Sequence, residues 1–238
     1  MTHPDHALWK QGWRAKQSDF HLDHVHPLLI RYWATLGLDH KDRVFVPLCG
    51  KSLDLMWLRG LGHDVAGVEL SLIAIRDLFK AGHLQPKRHL LKNDLTCWTE
   101  KRLVIYCGDF FELTREDLAG VRAVYDRAAL GALPEDLRED YIAHLHAILP
   151  DDCRILLLTV EDLEDDEAES EAGAVSPEIV RLYSGGFSVE LIHAEHHLAT
   201  SGNTCRPEGP RSVHKVYRLQ RVTTHGATAI AGAWPEAS

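Results

Sequence analysis

The segment from residue 43 to residue 69 constrains the fold more than any other part of this 238-residue sequence. A short apolar run at 43–48 leads into a turn that contains Gly50, and a second apolar run ends at Glu69, nineteen positions after Gly50. Residues 53–61, between the two runs, have the spacing of a helix. A strand, a tight turn, a helix and a second strand together form the βαβ unit of a parallel sheet.

The same alternation continues along the chain. It predicts two further helices, at 72–81 behind the capping residue Ser71 and at 135–149. It also predicts five further strands, at 103–107, 123–125, 154–160, 187–194 and 213–222. Seven strands, of which the last two pair antiparallel, predict an α/β fold: a doubly wound, mostly parallel sheet with helices on both faces.

The two ends of the chain differ from this pattern. Residues 1–40 are aromatic and helical in spacing, with Trp9 and Trp13 four positions apart, and we expect them to form a helical cover over the functional site. Residues 223–238 are rich in Ala, Gly and Thr, and we expect a loose tail there. The sequence therefore predicts one domain over residues 1–222.

Composition limits the classes of partner. The chain has 26 Lys and Arg against 35 Asp and Glu, which disfavours nucleic-acid binding. Its five cysteines include no C-x-x-C pair, which disfavours a zinc site and fits a reducing compartment. The longest apolar run, residues 155–158, is far shorter than the roughly 20 residues of a membrane helix. We expect a cytoplasmic monomer that acts on a small molecule, without a nucleic-acid, membrane or metal partner.

The turn around Gly50 indicates which kind of ligand the sheet binds. Gly50-Lys51-Ser52 matches the end of a phosphate-binding loop, but Phe45 stands where that loop needs its first glycine. A dinucleotide fingerprint would need two more glycines. An acid at the tip of the second strand, Glu69, can accept hydrogen bonds from ribose hydroxyls. A ligand with ribose and no phosphate fits, and S-adenosylmethionine is such a ligand; the alternative is an ordinary strand end after an ordinary turn.

Polar residues also follow the third and fourth predicted strands. Asp109 can accept a hydrogen bond from the adenine amino group, and the neighbouring Phe110 can flank the ring. Arg127 can hold the carboxylate of the methionine part, because its planar fork suits carboxylates. The alternative for Asp109 and Arg127 is an ordinary surface ion pair.

Several segments together resemble one enzyme family, the thiopurine S-methyltransferases in their bacterial form. The similarity runs in order over about residues 8–160, and it is strongest in Pro-Leu-Cys-Gly-Lys at 47–51 and Asp-Arg-Ala-Ala-Leu at 126–130. The other matching segments are Trp9-x-x-x-Trp13, Phe20-His21, the strand before Pro47, residues 62–71 and residues 107–111.

The resemblance implies the seven-stranded class I methyltransferase fold, with S-adenosylmethionine as donor and S-adenosylhomocysteine as product. It implies that Trp13, Leu48, Glu69 and Arg127 contact the donor, and that Phe20 lies over the acceptor pocket. The sequence departs from the family's Gly-Pro-Pro-Phe stretch, where it has an acidic run through Glu171. Residues 200–211 also fit poorly. Both regions border the family's acceptor site, so the resemblance leaves the acceptor open.

We therefore expect methyl transfer to the sulfur of a small-molecule thiol, such as a thiopurine or another heterocyclic thiol. Methylation of selenium or tellurium compounds is the alternative reaction, and a non-catalytic S-adenosylmethionine-binding protein is the alternative from another class. The donor site is expected to comprise Trp13, Leu48, Gly50, Glu69, Ser71, Asp109, Phe110 and Arg127, with Arg127 also positioning the reactants.

The predicted acceptor site contains Phe20 and His21. His21 belongs to an H-x-x-H-x-H motif with His24 and His26, which is a possible metal-ligand spacing. With sixteen histidines in the chain, chance clusters are expected. We therefore predict no metal, and weigh an acceptor role for His21 against ordinary surface or packing roles.

Overall fold

A computed structural model describes residues 11, 21–91, 95–127, 129–163, 173–198 and 211–222. Trp13, Phe20, most of the acidic run and the C-terminal tail lie outside these residues. The described residues contain nine strands of a single sheet. The strands are β1 Arg43–Val46, β2 Asp64–Glu69, β3 Lys87–Leu90, β4 Thr96–Glu100, β5 Leu103–Cys107, β6 Val121–Arg127, β7 Arg154–Leu163, β8 Phe187–Leu198 and β9 Arg211–Arg221.

Six α-helices and two short 3-10 helices accompany the sheet in the described ranges. The α-helices are α1 Pro27–Tyr32, α2 Asp54–Gly60, α3 Leu72–Ala81, α4 Ala129–Ala132, α5 Glu135–Ile148 and α6 Pro177–Tyr183, and the 3-10 helices are Trp33–Leu36 and Phe110–Glu112. Helices α2, α3 and α5 were predicted within one residue of these bounds, whereas the short α4 and α6 were not predicted. None of the described helices is long and apolar enough to cross a lipid bilayer.

The order of the strands is β3-β4-β5-β2-β1-β6-β7-β9-β8. Strands β1, β2, β5, β6 and β7 are parallel, and β9 runs antiparallel between β7 and β8. The predicted α/β class is confirmed, and each of the seven predicted strands has a counterpart in the sheet. Strand β2 lies on one side of β1, and β6, which comes later in the chain, lies on the other side. The strand order therefore reverses between β1 and β6, and open sheets of this kind bind ligands at such a switch point.

The described residues form two strands more than the seven that the sequence predicted, so the predicted strand number was wrong. Strands β3 and β4 add an antiparallel hairpin to the outer side of β5. All four residues of β3 are exposed, so this segment has no apolar alternation from which a strand could be predicted.

Two hydrophobic cores lie on the two faces of the sheet. One core receives apolar side chains from α1, α2 and α3, and the other receives them from α4, α5 and α6. This arrangement confirms the predicted helices on both faces. It also means that side chains on alternate positions of the central strands enter different cores.

Part of the predicted N-terminal helical cover lies in the described residues. Helix α1 begins after His26, whose Nδ1 accepts a hydrogen bond from the backbone N–H of Leu28. The following 3-10 helix ends at Gly37, which adopts a left-handed conformation with φ 59°. The indole N–H of Trp33 donates to His63 Nε2 over 3.0 Å, so this segment is joined to the end of the first βαβ helix.

The glycine within β2 marks a close approach of the turn after β1. A Cβ atom on Gly67 would lie 2.9 Å from Cys49 Sγ, 3.0 Å from Ile105 Cδ1 and 3.3 Å from Leu55 Cδ2. Gly67 therefore lets the turn residue Cys49 and helix α2 pack directly against the middle of the sheet.

We predict that Gly67→Ala lowers the free energy of unfolding by about 1–3 kcal/mol, because the added methyl group overpacks this contact. Gly60→Ala, where a Cβ would meet no atom within 4 Å, is the matched control. The control should be neutral or gain up to about 1 kcal/mol, since alanine is the better helix former. Chemical denaturation measures both, and equal losses in the two variants would contradict the packing argument.

Candidate functional site

The carboxyl ends of three strands meet at Glu69, the last residue of β2. Its Oε2 accepts a hydrogen bond from the backbone N–H of Gly50 over 2.8 Å, and its Oε1 accepts one from the N–H of Ser71 over 2.6 Å. Its backbone carbonyl accepts from the N–H of Gly108, just after β5, over 3.0 Å. One residue thus fixes the positions of the turn after β1, the start of α3 and the end of β5.

The turn after β1 adopts left-handed backbone at two positions. Leu48 has φ 44° and Gly50 has φ 54°, and between them the N–H of Cys49 donates to the carbonyl of Val68 over 2.9 Å. Glycine adopts this conformation without cost, whereas for leucine it is unusual and strained. The predicted strand ran through Leu48, whereas the observed strand ends at Val46 because the chain turns after it.

The Glu69 carboxyl group is buried, with an exposed fraction of 6%. Burial raises its pKa to about 7, although the N–H groups of Ser71, Gly50 and Leu70 favour the ionised form. A carboxylate oxygen can accept more than one hydrogen bond. Glu69 therefore retains acceptor capacity beyond the backbone donors that hold it.

Ser71 serves as the cap of α3. Its Oγ accepts a hydrogen bond from the N–H of Ala74 over 3.3 Å, and the side chain is buried. The predicted cap is confirmed. The backbone N–H of the same serine donates to the Glu69 carboxylate, so Ser71 connects the start of α3 to the tip of β2.

Asp109 and Phe110 follow β5, as predicted, but their side chains have different surroundings. The Asp109 carboxylate accepts a hydrogen bond from the N–H of Phe111 over 3.0 Å and so caps a 3-10 helix. The ring of Phe110 is buried and packs on Tyr141 of α5, with ring centroids 4.8 Å apart. Its neighbour Phe111 is half-buried.

Arg127 ends β6 and pairs with a carboxylate that is absent from the predicted site. Its Nε lies 3.4 Å from Oδ2 of Asp54, the first residue of α2. The same oxygen accepts a hydrogen bond from the Tyr125 hydroxyl over 2.9 Å, and Oδ1 accepts from the backbone N–H of His26 over 2.8 Å. The sequence offered one signal, an acid in the first turn of a helix.

The three histidines of the H-x-x-H-x-H motif have separate surroundings. His24 contacts the neighbouring Asp23 at the surface, and His26 caps α1. Burial and the positive charge of Arg127 lower the pKa of His26 to about 4. Across the ranges that the structure describes, no three side chains of His, Cys, Asp or Glu form a group suited to a metal ion.

His21 lies in a region of positive potential. Burial, Lys51 and Arg127, in that order, lower its pKa below the ordinary value for histidine, against smaller opposing effects of Asp23 and Asp54. A cavity of about 380 Å³ lies beside it, and its lining residues are His21, Lys51, Leu53, Asp77, Lys80, Ala81 and His83. The imidazole of His21 is therefore biased towards its neutral form.

The structure thus brings most of the described candidates to one edge of the sheet. Leu48, Gly50, Glu69, Ser71 and Asp109 lie at the tips of β1, β2 and β5. Arg127 lies at the tip of β6, next to β1. Phe110 follows β5 too, but its ring is in the core.

Similarity to known proteins identifies the family and the fold of this chain. The family model described as thiopurine S-methyltransferase matches residues 4–222. A thiopurine S-methyltransferase of Stutzerimonas stutzeri is 45% identical over 219 residues, which are 92% of each chain, and one of Azotobacter vinelandii is 42% identical over 90% of this chain and 98% of its own. A solved N1-methyltransferase of Burkholderia thailandensis has the same fold, with a TM-score of 0.58, 16% identity and 92% of each chain covered. This chain belongs to the thiopurine S-methyltransferase family of S-adenosylmethionine-dependent methyltransferases.

Proposed function

We propose that this enzyme methylates the sulfur of a small-molecule thiol, with the donor bound across the tips of β1, β2, β5 and β6. The observation that carries the donor site is the buried Glu69 carboxylate, which joins the Gly50 turn to the start of α3. The family membership supports sulfur as the accepting atom.

The residues at the strand tips suit the parts of S-adenosylmethionine. Glu69 has acceptor capacity for ribose hydroxyls, and Asp109 supplies a carboxylate at the next strand tip. Gly50 lets the backbone approach the ligand, because no side chain stands there. Arg127 suits the carboxylate of the methionine part or an anionic acceptor. Trp13 and Phe20, which the family resemblance assigns to the donor and the acceptor, lie outside the described residues.

Bound S-adenosylmethionine supplies a methyl group on a positively charged sulfur, so the protein need not provide its own nucleophile. The protein has to align the acceptor and exclude water, and alignment of reactants is worth about 7–11 kcal/mol of barrier. The buried strand tips and the tightly bonded Gly50 turn provide a rigid base for that alignment.

The charges near His21 favour an anionic acceptor. Burial disfavours the imidazolium form of His21 most, and the positive charges of Lys51 and Arg127 add to that effect. The same positive potential favours a thiolate over a thiol, and the thiolate is the better nucleophile. A neutral imidazole at His21 can also accept the thiol proton as it leaves.

We predict that 4-nitrothiophenol is methylated at least about 100-fold faster, in kcat/KM, than 4-nitrophenol. At pH 8 both compounds are largely ionised, and their shapes are similar, so the comparison at this pH isolates sulfur from oxygen. Transfer of the isotopically labelled methyl group measures both rates. Comparable rates for the two would overturn the sulfur proposal, whereas a selenol or tellurite outpacing every thiol would reassign the acceptor to those elements.

We predict that affinity for S-adenosylhomocysteine rises as the pH increases from about 5.5 to 8. The ionised form of Glu69 accepts hydrogen bonds from the ribose hydroxyls, and the pKa of about 7 places its ionisation within this range. Below that pKa, each further unit by which the pH falls lowers the affinity by at most about tenfold. Isothermal titration calorimetry at several pH values measures the effect.

Glu69→Gln is the matched variant for this measurement, because it keeps the size and the acceptor oxygen but does not titrate. Its affinity should be weaker at pH 8 and should depend less on pH than that of the wild-type protein. An unchanged pH profile in Glu69→Gln would remove Glu69 from the donor site.

A further inference from the structure

Asp54 is among the most buried charged residues that the structure describes, with an exposed fraction of 1%. It lies outside the set of residues that the proposed function assigns to the donor or the acceptor. Burying a carboxylate costs several kcal/mol unless it is paired and hydrogen-bonded. The partners of Asp54 therefore indicate which segments of the structure this buried carboxylate connects.

One oxygen of Asp54 faces the N-terminal segment of the chain. Oδ1 accepts from the backbone N–H of His26 over 2.8 Å, at the residue that caps α1. The hydrogen bond thus ties the entry of the N-terminal segment to the first turn of α2.

The other oxygen faces the end of β6. Oδ2 lies 2.9 Å from the Tyr125 hydroxyl and 3.4 Å from Nε of Arg127. The Tyr125 ring also meets Trp33 edge to face, with ring centroids 6.5 Å apart. Two contacts, one polar and one aromatic, therefore connect the N-terminal helices to the strand that carries the site arginine.

We propose that Asp54 is a positioning residue that binds the start of α1 and the guanidinium of Arg127 to one carboxylate, so that the N-terminal segment and the site arginine take up their working positions together. Asp54 acts through Arg127 and does not itself contact substrate. This inference rests on the proposed role of Arg127 at the donor or acceptor.

Asp126, in the strand that also carries Tyr125 and Arg127, provides a matched comparison for Asp54. It is also fully buried, and its Oδ2 accepts a hydrogen bond from the Tyr141 hydroxyl over 2.7 Å. Its side chain enters the core on the other face of the sheet, where Tyr141 lies. Replacing either aspartate by asparagine removes a buried negative charge beside a tyrosine hydroxyl, but only Asp54 is paired with Arg127.

The test is a double-mutant cycle read by calorimetric affinity for S-adenosylhomocysteine and by kcat and KM with a thiol acceptor. Asp54→Asn should weaken donor affinity or kcat/KM by about tenfold, because the amide turns a donor group towards Arg127. In an Arg127→Gln background the same change should cost less than about twofold. Asp126→Asn should leave affinity within about twofold in the wild-type background. Its fold-effect should be the same in the Arg127→Gln background, so that the effects of the two changes are independent.

The outcomes separate the inference from the function on which it rests. If Arg127→Gln leaves affinity and turnover unchanged, the proposed role of Arg127 is wrong, and this inference, which rests on that role, is overturned as well. If instead Arg127→Gln strongly impairs affinity or turnover while Asp54→Asn has no effect, or has the same fold-effect in both backgrounds, the proposed function stands and the inference is overturned.

Hydrogen exchange gives a second measurement that does not require a folded Asp54 variant. Binding of S-adenosylhomocysteine should slow amide exchange at residues 26–30 in the wild-type protein, because the ligand fixes Arg127 and hence Asp54. In Arg127→Gln, saturated with the same ligand, this protection should be clearly smaller. Equal protection in the two proteins would overturn the link between α1 and the arginine.

Discussion

The edge of the sheet depends on one buried carboxylate. Glu69 holds the Gly50 turn and the start of α3 with its two oxygens, and its carbonyl holds the end of β5. Backbone N–H groups at the tips of parallel strands have no partner in the next strand, so they need another acceptor. A side chain that satisfies two of them makes the turn rigid before any ligand arrives, and the raised pKa of Glu69 reflects the burial that this requires.

The strand next to the switch point divides its polar residues between two cores. Tyr125 joins the carboxylate of Asp54 on the face covered by α1, α2 and α3. Asp126 joins Tyr141 on the face covered by α5, and burial raises its pKa to about 6. Only the third residue of this run, Arg127, remains partly exposed at the tip. The alternation of a strand therefore places two neighbouring polar residues in support of opposite layers and leaves the next one at the site.

The framework of the fold was predictable because it depends on local patterns. Alternating apolar runs located seven strands, Ser71 was recognisable as a cap, and the spacing of Gly50 and Glu69 placed both at one edge. The Asp54–Tyr125 hydrogen bond joins residues 71 positions apart, and no local pattern reveals which buried acid meets which hydroxyl. The sequence likewise could not show that the ring of Phe110 enters the core beside Tyr141, because its neighbour is also phenylalanine.

The position of β1 has a consequence for how the chain folds. Its neighbour on one side, β2, follows at once, but its partner on the other side, β6, pairs Val121 with Arg43. The switch point between β1 and β6 cannot form until about half of the chain has been synthesised. Long-range parallel pairing of this kind slows folding, since the intervening loop must close before any contact rewards it. A nascent chain can thus complete the Gly50 turn and its hydrogen bond to Glu69 early, while Arg127 joins the site only after β6 has been synthesised and has paired with β1.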